Sequence, residues 1–135
     1  MDPKNTPARS NPGEMKVLIA DDQLAMRELL KTILRTLRIS NIEAVGDGVQ
    51  AAERFRQSRH DMIFLDIDMP ELDGFSALSQ LKKTEPNVFV VMVSAHSSID
   101  NVKKALDMGA KGFVVKPYTS SKIADMLKKY RETPA

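Results

Sequence analysis

The chain contains no cysteine, which excludes a disulfide framework and a thiolate metal site. Its two histidines, His60 and His96, are too few to build a zinc centre without other ligands. No apolar run approaches the ~18 residues that a membrane span needs. The N-terminus has no apolar stretch of the kind that marks a secretory signal. A reducing cytoplasm is therefore the expected location, with no membrane partner. Charge of one sign is also lacking: the formal net charge is +2, with acids and bases interspersed. That leaves no basic footprint, so nucleic acid is not an expected partner.

What is present fits one soluble domain. At 135 residues the chain has room for a single real core, and 42% apolar with 28% charged residues is ordinary for a globular protein. Residues 1–14 are rich in Pro, Asn, Ser, Gly and charged residues with no apolar period, and read as a disordered tail. From residue 15 to about 132 the pattern is regular, and no internal repeat and no second domain are expected.

The stretch from Met62 to Pro70 organises the rest. Four apolar residues, Met62 to Leu65, run into Asp66, and Met69-Pro70 and Asp73-Gly74 follow. An apolar run of this length, bounded by turn signals, reads as a strand buried on both faces. Lys16 to Ala20, Ile42 to Val45, Val88 to Val93 and Phe113 to Val115 read as four more strands. Between and after them, apolar residues recur at three- and four-residue steps: Met26 to Leu37, Val49 to Phe55, Phe75 to Leu81, Ile99 to Leu106 and Ile123 to Tyr130. Gly109 reads as a helix stop. Strand and helix thus alternate five times, with connections long enough for crossovers. The expected fold is α/β, a doubly wound parallel sheet of five strands with five helices on its two faces.

In such a sheet ligands bind at the carboxyl ends of the strands. The first strand ends in Asp21-Asp22, the third in Asp66, the fourth in Ser94 and the fifth in Lys116. Each alone has an ordinary explanation: an aspartate in a turn, a serine capping a helix, an exposed lysine. Together they bring three carboxylates, a hydroxyl and an ammonium to one edge. Clustered carboxylates repel unless a cation compensates them, and an oxygen-lined site suits Mg²⁺. A carboxylate nucleophile, Mg²⁺, a lysine and a small hydroxyl together suit phosphoryl transfer through an aspartyl phosphate.

Asp21-Asp22, Asp66 with Met69-Pro70 and Asp73-Gly74, Ser94-Ala95 and Lys116-Pro117 resemble the receiver domain of bacterial response regulators. The resemblance runs from about Lys16 to Tyr130. Met26-Arg27, Asn41 to Ala44 and Asp47 to Val49 add a likeness to the stand-alone chemotaxis regulators of the CheY type. It implies a flavodoxin-like strand order of 2-1-3-4-5. It also implies that Asp66 accepts the phosphoryl group and that Lys116 pairs with it. Asp22 and Asp66 would ligate Mg²⁺ directly, the backbone carbonyl of Asp68 would add a ligand, and Asp21 would act through water. Ser94 would move toward the phosphoryl group while Phe113 turns inward behind it, and the Lys116–Pro117 bond would be cis. The donor would be a histidine kinase or a histidine phosphotransfer protein. The protein would catalyse its own phosphorylation and dephosphorylation at Asp66, with no separate substrate turned over.

The output is expected on the face of the fourth helix, fifth strand and fifth helix, where Lys103, Lys104, Lys111, Lys122 and Lys128 are expected to be exposed. Targets compatible with a lone receiver are a flagellar switch, a separate enzyme, or another histidine protein in a phosphorelay. A monomer is expected, which phosphorylation could pair into a dimer. Ser94 stands where many relatives have threonine, and Phe113 where many have tyrosine. Asp68 and His96, each two residues past a site residue, fall at positions that tune dephosphorylation in the family.

Other readings fit less well. Asp66-Ile67-Asp68 also matches the core of the haloacid-dehalogenase-type phosphatase motif. There the acidic pair comes last in the chain, and here it comes first; the chain is short for such an enzyme, and Pro70 suits a receiver. The intact five-residue set argues against a degenerate receiver used only for binding. Few residues follow Tyr130, so no DNA-binding effector domain is expected.

Overall fold

The structure is a computed structural model that describes residues 14–96 and 98–134. Apart from Glu14, the expected N-terminal tail lies outside the described residues. The described residues form strands β1 (Lys16–Ala20), β2 (Asn41–Val45), β3 (Met62–Asp66), β4 (Phe89–Ser94) and β5 (Gly112–Val115). Helices α1 (Leu24–Thr36), α2 (Gly48–Ser58), α3 (Gly74–Thr84), α4 (Ile99–Asp107) and α5 (Ser120–Glu132) follow them in turn. All strand pairs are parallel, in the order β2-β1-β3-β4-β5. The expected fold class and strand order are both borne out.

Side chains alternate across the sheet, and each set finds its own helices. Val17, Ile19, Phe64, Val91 and Val114 pack with Leu30 and Leu34 of α1 and Ile123, Leu127 and Tyr130 of α5. Leu18, Ile63, Leu65, Val90 and Met92 pack with Phe55 of α2, Leu81 of α3 and Ala105 of α4. The central strands β3 and β4 are buried along their whole length, which is why they read as unbroken apolar runs. The edge strand β2 pairs along its whole length with β1, and its Glu43 also pairs with Arg54 of α2 and accepts a 2.7 Å hydrogen bond from Nε2 of the buried His60.

Helix starts follow local chemistry. Asp47, Asp73, Ser98 and Thr119 each accept a hydrogen bond from the backbone N–H three residues on. Gly109 takes a positive φ of 97° just past the end of α4, where a side chain would be strained. Helix α4 departs from the usual amphipathic docking. Ala105 is its one fully buried residue, whereas Ile99 is 83% and Leu106 49% exposed. Ile99 and Leu106 thus face outward, and the side chain of α4 that is fully buried is the small Ala105.

Candidate functional site

The strand ends converge as their positions in the sheet require. Asp21 follows the last residue of β1, and its N–H donates to Val45 O of β2 at 3.1 Å. Asp66 is the last residue of β3, in register with Val93, and Ser94 is the last of β4, in register with Val115. Lys116 follows β5, and its N–H donates to Ser94 O at 2.8 Å. Its Nζ reaches 2.8 Å from Asp21 Oδ2 and 3.3 Å from Asp66 Oδ2. Asp21 and Asp66 are almost fully buried and Asp22 is exposed. Carboxylate oxygens of all three lie within 4.8 Å of one another.

A pocket of about 180 Å³ opens over this cluster, lined by Asp22, Gln23, Asp66, Asp68, Ala95 and Lys116. Asp68 is exposed and turns its N–H to Asp66 Oδ1 at 3.3 Å. Burial pushes the Asp66 carboxyl up; Lys116 pulls it back and Asp21 pushes it up again, leaving it at about 6. Burial works to lower the Lys116 ammonium, but its hydrogen bond to Asp21 and the charge of Asp66 outweigh that and raise it. Tyr118, buried beside the same carboxylates, is raised by burial and by the charges of Asp21 and Asp66. One lysine among three carboxylates leaves negative charge uncompensated, and the donors are all oxygens. These residues therefore fit a hard divalent cation.

Ser94 is buried at the rim, and its Oγ accepts the His96 N–H at 3.0 Å rather than lining the pocket. It shares a sheet face with Met92, which stands in register with Phe113. Phe113 is half-buried against the core beneath α4. The serine and the phenylalanine are therefore diagonal neighbours on one face. The Lys116–Pro117 bond is cis, as the resemblance implies.

Other contributors were not evident as site residues. Gly74 reads as a turn glycine, yet a Cβ there would stand 2.2 Å from the Asp66 carbonyl oxygen. Only the absent side chain lets α3 start against the phosphoacceptor candidate. The Gln23 N–H donates to Asp21 Oδ1 at 2.9 Å, and Arg27 Nη1 donates to the Asp21 carbonyl at 2.7 Å. Met26-Arg27 was part of the family likeness, but no sequence period ties an arginine on α1 to the loop before it. Of the five lysines expected to be exposed on the output face, Lys103, Lys104, Lys122 and Lys128 are exposed and Lys111 is half-buried. The Lys104 ammonium sits 4.3 Å over the Phe75 ring of α3.

The family model for the response regulator receiver domain matches residues 17–128. The chemotaxis protein CheY of Listeria monocytogenes is 34% identical over 115 residues, 85% of this chain and 97% of the relative. CheY of Bacillus subtilis is 32% identical over 114 residues, 84% of this chain and 95% of the relative. Among solved structures, a chain in the CheX–CheY–BeF3–Mg²⁺ complex from Borrelia burgdorferi superposes with a TM-score of 0.80 at 32% identity. That match covers 84% of this chain and 86% of the other. With the receiver model spanning most of the chain and these relatives above 30% identity, this chain belongs to the response regulator receiver domain family.

Proposed function

We propose that this protein is a response regulator that accepts a phosphoryl group on Asp66 from a histidine kinase or a histidine phosphotransfer protein. The observation that carries this is a buried carboxylate with an ammonium at 3.3 Å, at the floor of an acidic pocket. An Asp66 carboxylate oxygen forms the new bond to phosphorus, the bond from phosphorus to the donor atom breaks, and the donor leaves with that electron pair. Asp21, Asp22 and Asp66, with the Asp68 carbonyl, would hold Mg²⁺. A bound Mg²⁺ would offset charge on the transferring oxygens. The Lys116 ammonium would add positive charge there as well, and it holds the two buried carboxylates together. The relatives are chemotaxis proteins, which supports a chemotaxis-like pathway. No helix among the described residues is long and apolar enough to cross a membrane, which suits action in the cytoplasm.

The test is incubation with acetyl phosphate and Mg²⁺, read by intact mass. One phosphoryl group per chain is expected, and hydroxylamine should remove it, because an acyl phosphate is attacked at its carbonyl. A label that resists hydroxylamine would place the phosphate on a hydroxyl and overturn the assignment. Continuous release of phosphate from a phosphomonoester, with no labelled protein, would instead indicate a phosphatase.

The signal would pass through Ser94 to Phe113. New charge and acceptor oxygens at Asp66 draw the Ser94 hydroxyl, and Phe113 on the same face fills the space behind it. Helix α4, held by so little buried surface, is the element free to respond, so the output face comprises α4, β5 and α5. In Ser94→Ala, phosphate is still expected at Asp66, while the amide shifts at Phe113 and across residues 99–107 should largely disappear. Chemical-shift maps with and without beryllofluoride decide this. Equal shifts in the two proteins would exclude Ser94 as the relay.

A further inference from the structure

We infer that Arg27 is a positioning residue for the acidic pair: its guanidinium fixes the Asp21–Asp22 peptide and thereby aims the Asp22 carboxylate at the cation. This inference rests on the proposed cation site. The Asp21 carbonyl that receives Arg27 Nη1 at 2.7 Å belongs to the peptide unit leading into Asp22. The other polar groups of Asp21 face partners of their own, although Oδ2 makes an ion pair and no hydrogen bond. Its N–H donates to Val45 O, Oδ1 accepts from the Gln23 N–H, and Oδ2 faces Lys116 at 2.8 Å. Asp22 next to it is exposed and, among the described residues, its carboxylate makes no hydrogen bond or ion pair. What orients Asp22 is thus the peptide plane before it, and Arg27 closes that plane from outside the loop.

Local helix energetics do not account for this arginine. Its N–H bonds to the carbonyl of the N-cap Gln23, so it stands at the end of the first turn of α1. A cation there opposes the helix dipole. The side chain nevertheless folds back over the helix start. Nη1 also lies 3.7 Å from the place a Gly46 Cβ would take, so the guanidinium sits close to the loop after β2 while it bonds the loop after β1. A planar guanidinium presents that donor in a fixed direction, which a flexible lysine ammonium does not.

The sign of the effect on Mg²⁺ separates positioning from charge. As a nearby positive charge alone, Arg27 repels the cation, and its removal should tighten binding. As a positioning residue, its removal should weaken binding. Titration calorimetry with Mg²⁺ on the full chain is expected to give roughly tenfold weaker binding for Arg27→Met, in the range found for residues that orient metal ligands. Arg27→Lys keeps the charge and should weaken binding by less. Asp22→Ala serves as the control that removes a ligand. In the metal-free state, amide shifts should change at Asp22 and Gln23 in both arginine variants. If Arg27→Met does not fold, Arg27→Lys decides, because weaker binding at unchanged charge reports the lost guanidinium bond to the Asp21 carbonyl. Binding as tight as in the unaltered protein, or tighter, in every folded Arg27 variant overturns the inference. No Mg²⁺ binding by the unaltered protein would instead remove the cation site itself.

Discussion

Asp66→Asn is expected to abolish phosphoryl incorporation from acetyl phosphate and, in the absence of Mg²⁺, to raise the melting temperature at pH 8. The first effect follows from losing the nucleophilic oxygen. The second follows from the environment of the carboxylate. Burial and the Asp21 charge lift Asp66 from 3.8 to about 6 even with Lys116 pulling the other way. A carboxyl raised in the folded state contributes stability that is fully present below about 3.8 and lost as pH rises through about 6. Above that, the fold carries an ionised carboxylate at a cost of about 3 kcal/mol as an upper bound. Asn keeps the shape and the acceptor oxygen for the Asp68 N–H but not the charge. A gain of roughly 5 °C is expected at pH 8, shrinking to nothing near pH 4. Melting curves of both proteins across that range check it. A lower melting temperature for the variant at pH 8 would mean that the attraction of Lys116 outweighs burial and Asp21 together.

The same opposition makes the ionised Asp66 carboxylate a local cost to the fold at neutral pH. In the proposed function this buried carboxylate would be the nucleophile, and a bound cation would relieve the charge crowding by mass action. The proposed function and this electrostatic cost fall on the same residues, while the core on either side of the sheet carries the stability. Asp66 and Lys116 interact across 50 residues of sequence. The apolar strands beneath them make that distant pairing possible.

The fold was legible because β3 and β4 are apolar on both faces and break abruptly at a polar residue. Each break, at Asp66 and Ser94, marks the carboxyl end of a strand, and parallel topology then gathers the ends without further information. Other features depend on side-chain reach rather than period. Arg27 lies on α1 but acts on the loop before it. No sequence period links His60 to Glu43, and their side-chain bond joins residues 17 apart. Ile99, Val102 and Leu106 mark a helix correctly, yet the period does not say which way the stripe faces. The outcome depended on Ala105, whose small side chain is the one the core accepts. Gly74 was legible as a turn, but its close approach to the Asp66 carbonyl depends on the backbone path.

Lys116→Met is expected to be the most destabilising change at this site. The Lys116 side chain is 10% exposed and touches two carboxylates whose side chains are 1% and 6% exposed. Removing one partner of a buried pair costs about 3–5 kcal/mol, because the remaining charge is left without compensation. Here two charges are left. Methionine fills much of the stem's volume, so the loss reports charge rather than packing. Without the ammonium, the Asp66 carboxyl should rise further above about 6. The variant should then gain stability as pH falls, since its folded form binds a proton that the unfolded chain releases down to about 3.8. Mg²⁺ should restore much of the loss at pH 8, by supplying positive charge to the same oxygens. Combining Lys116→Met with Asp66→Asn should also recover part of it, since one of the two stranded carboxylates is then neutral. The four proteins form a double-mutant cycle whose coupling term measures the Asp66–Lys116 pair directly. Thermal melts at pH 5 and pH 8, with and without Mg²⁺, supply every term. An unchanged melting temperature for Lys116→Met at pH 8 would show that solvent, not the ammonium, satisfies Asp21 and Asp66.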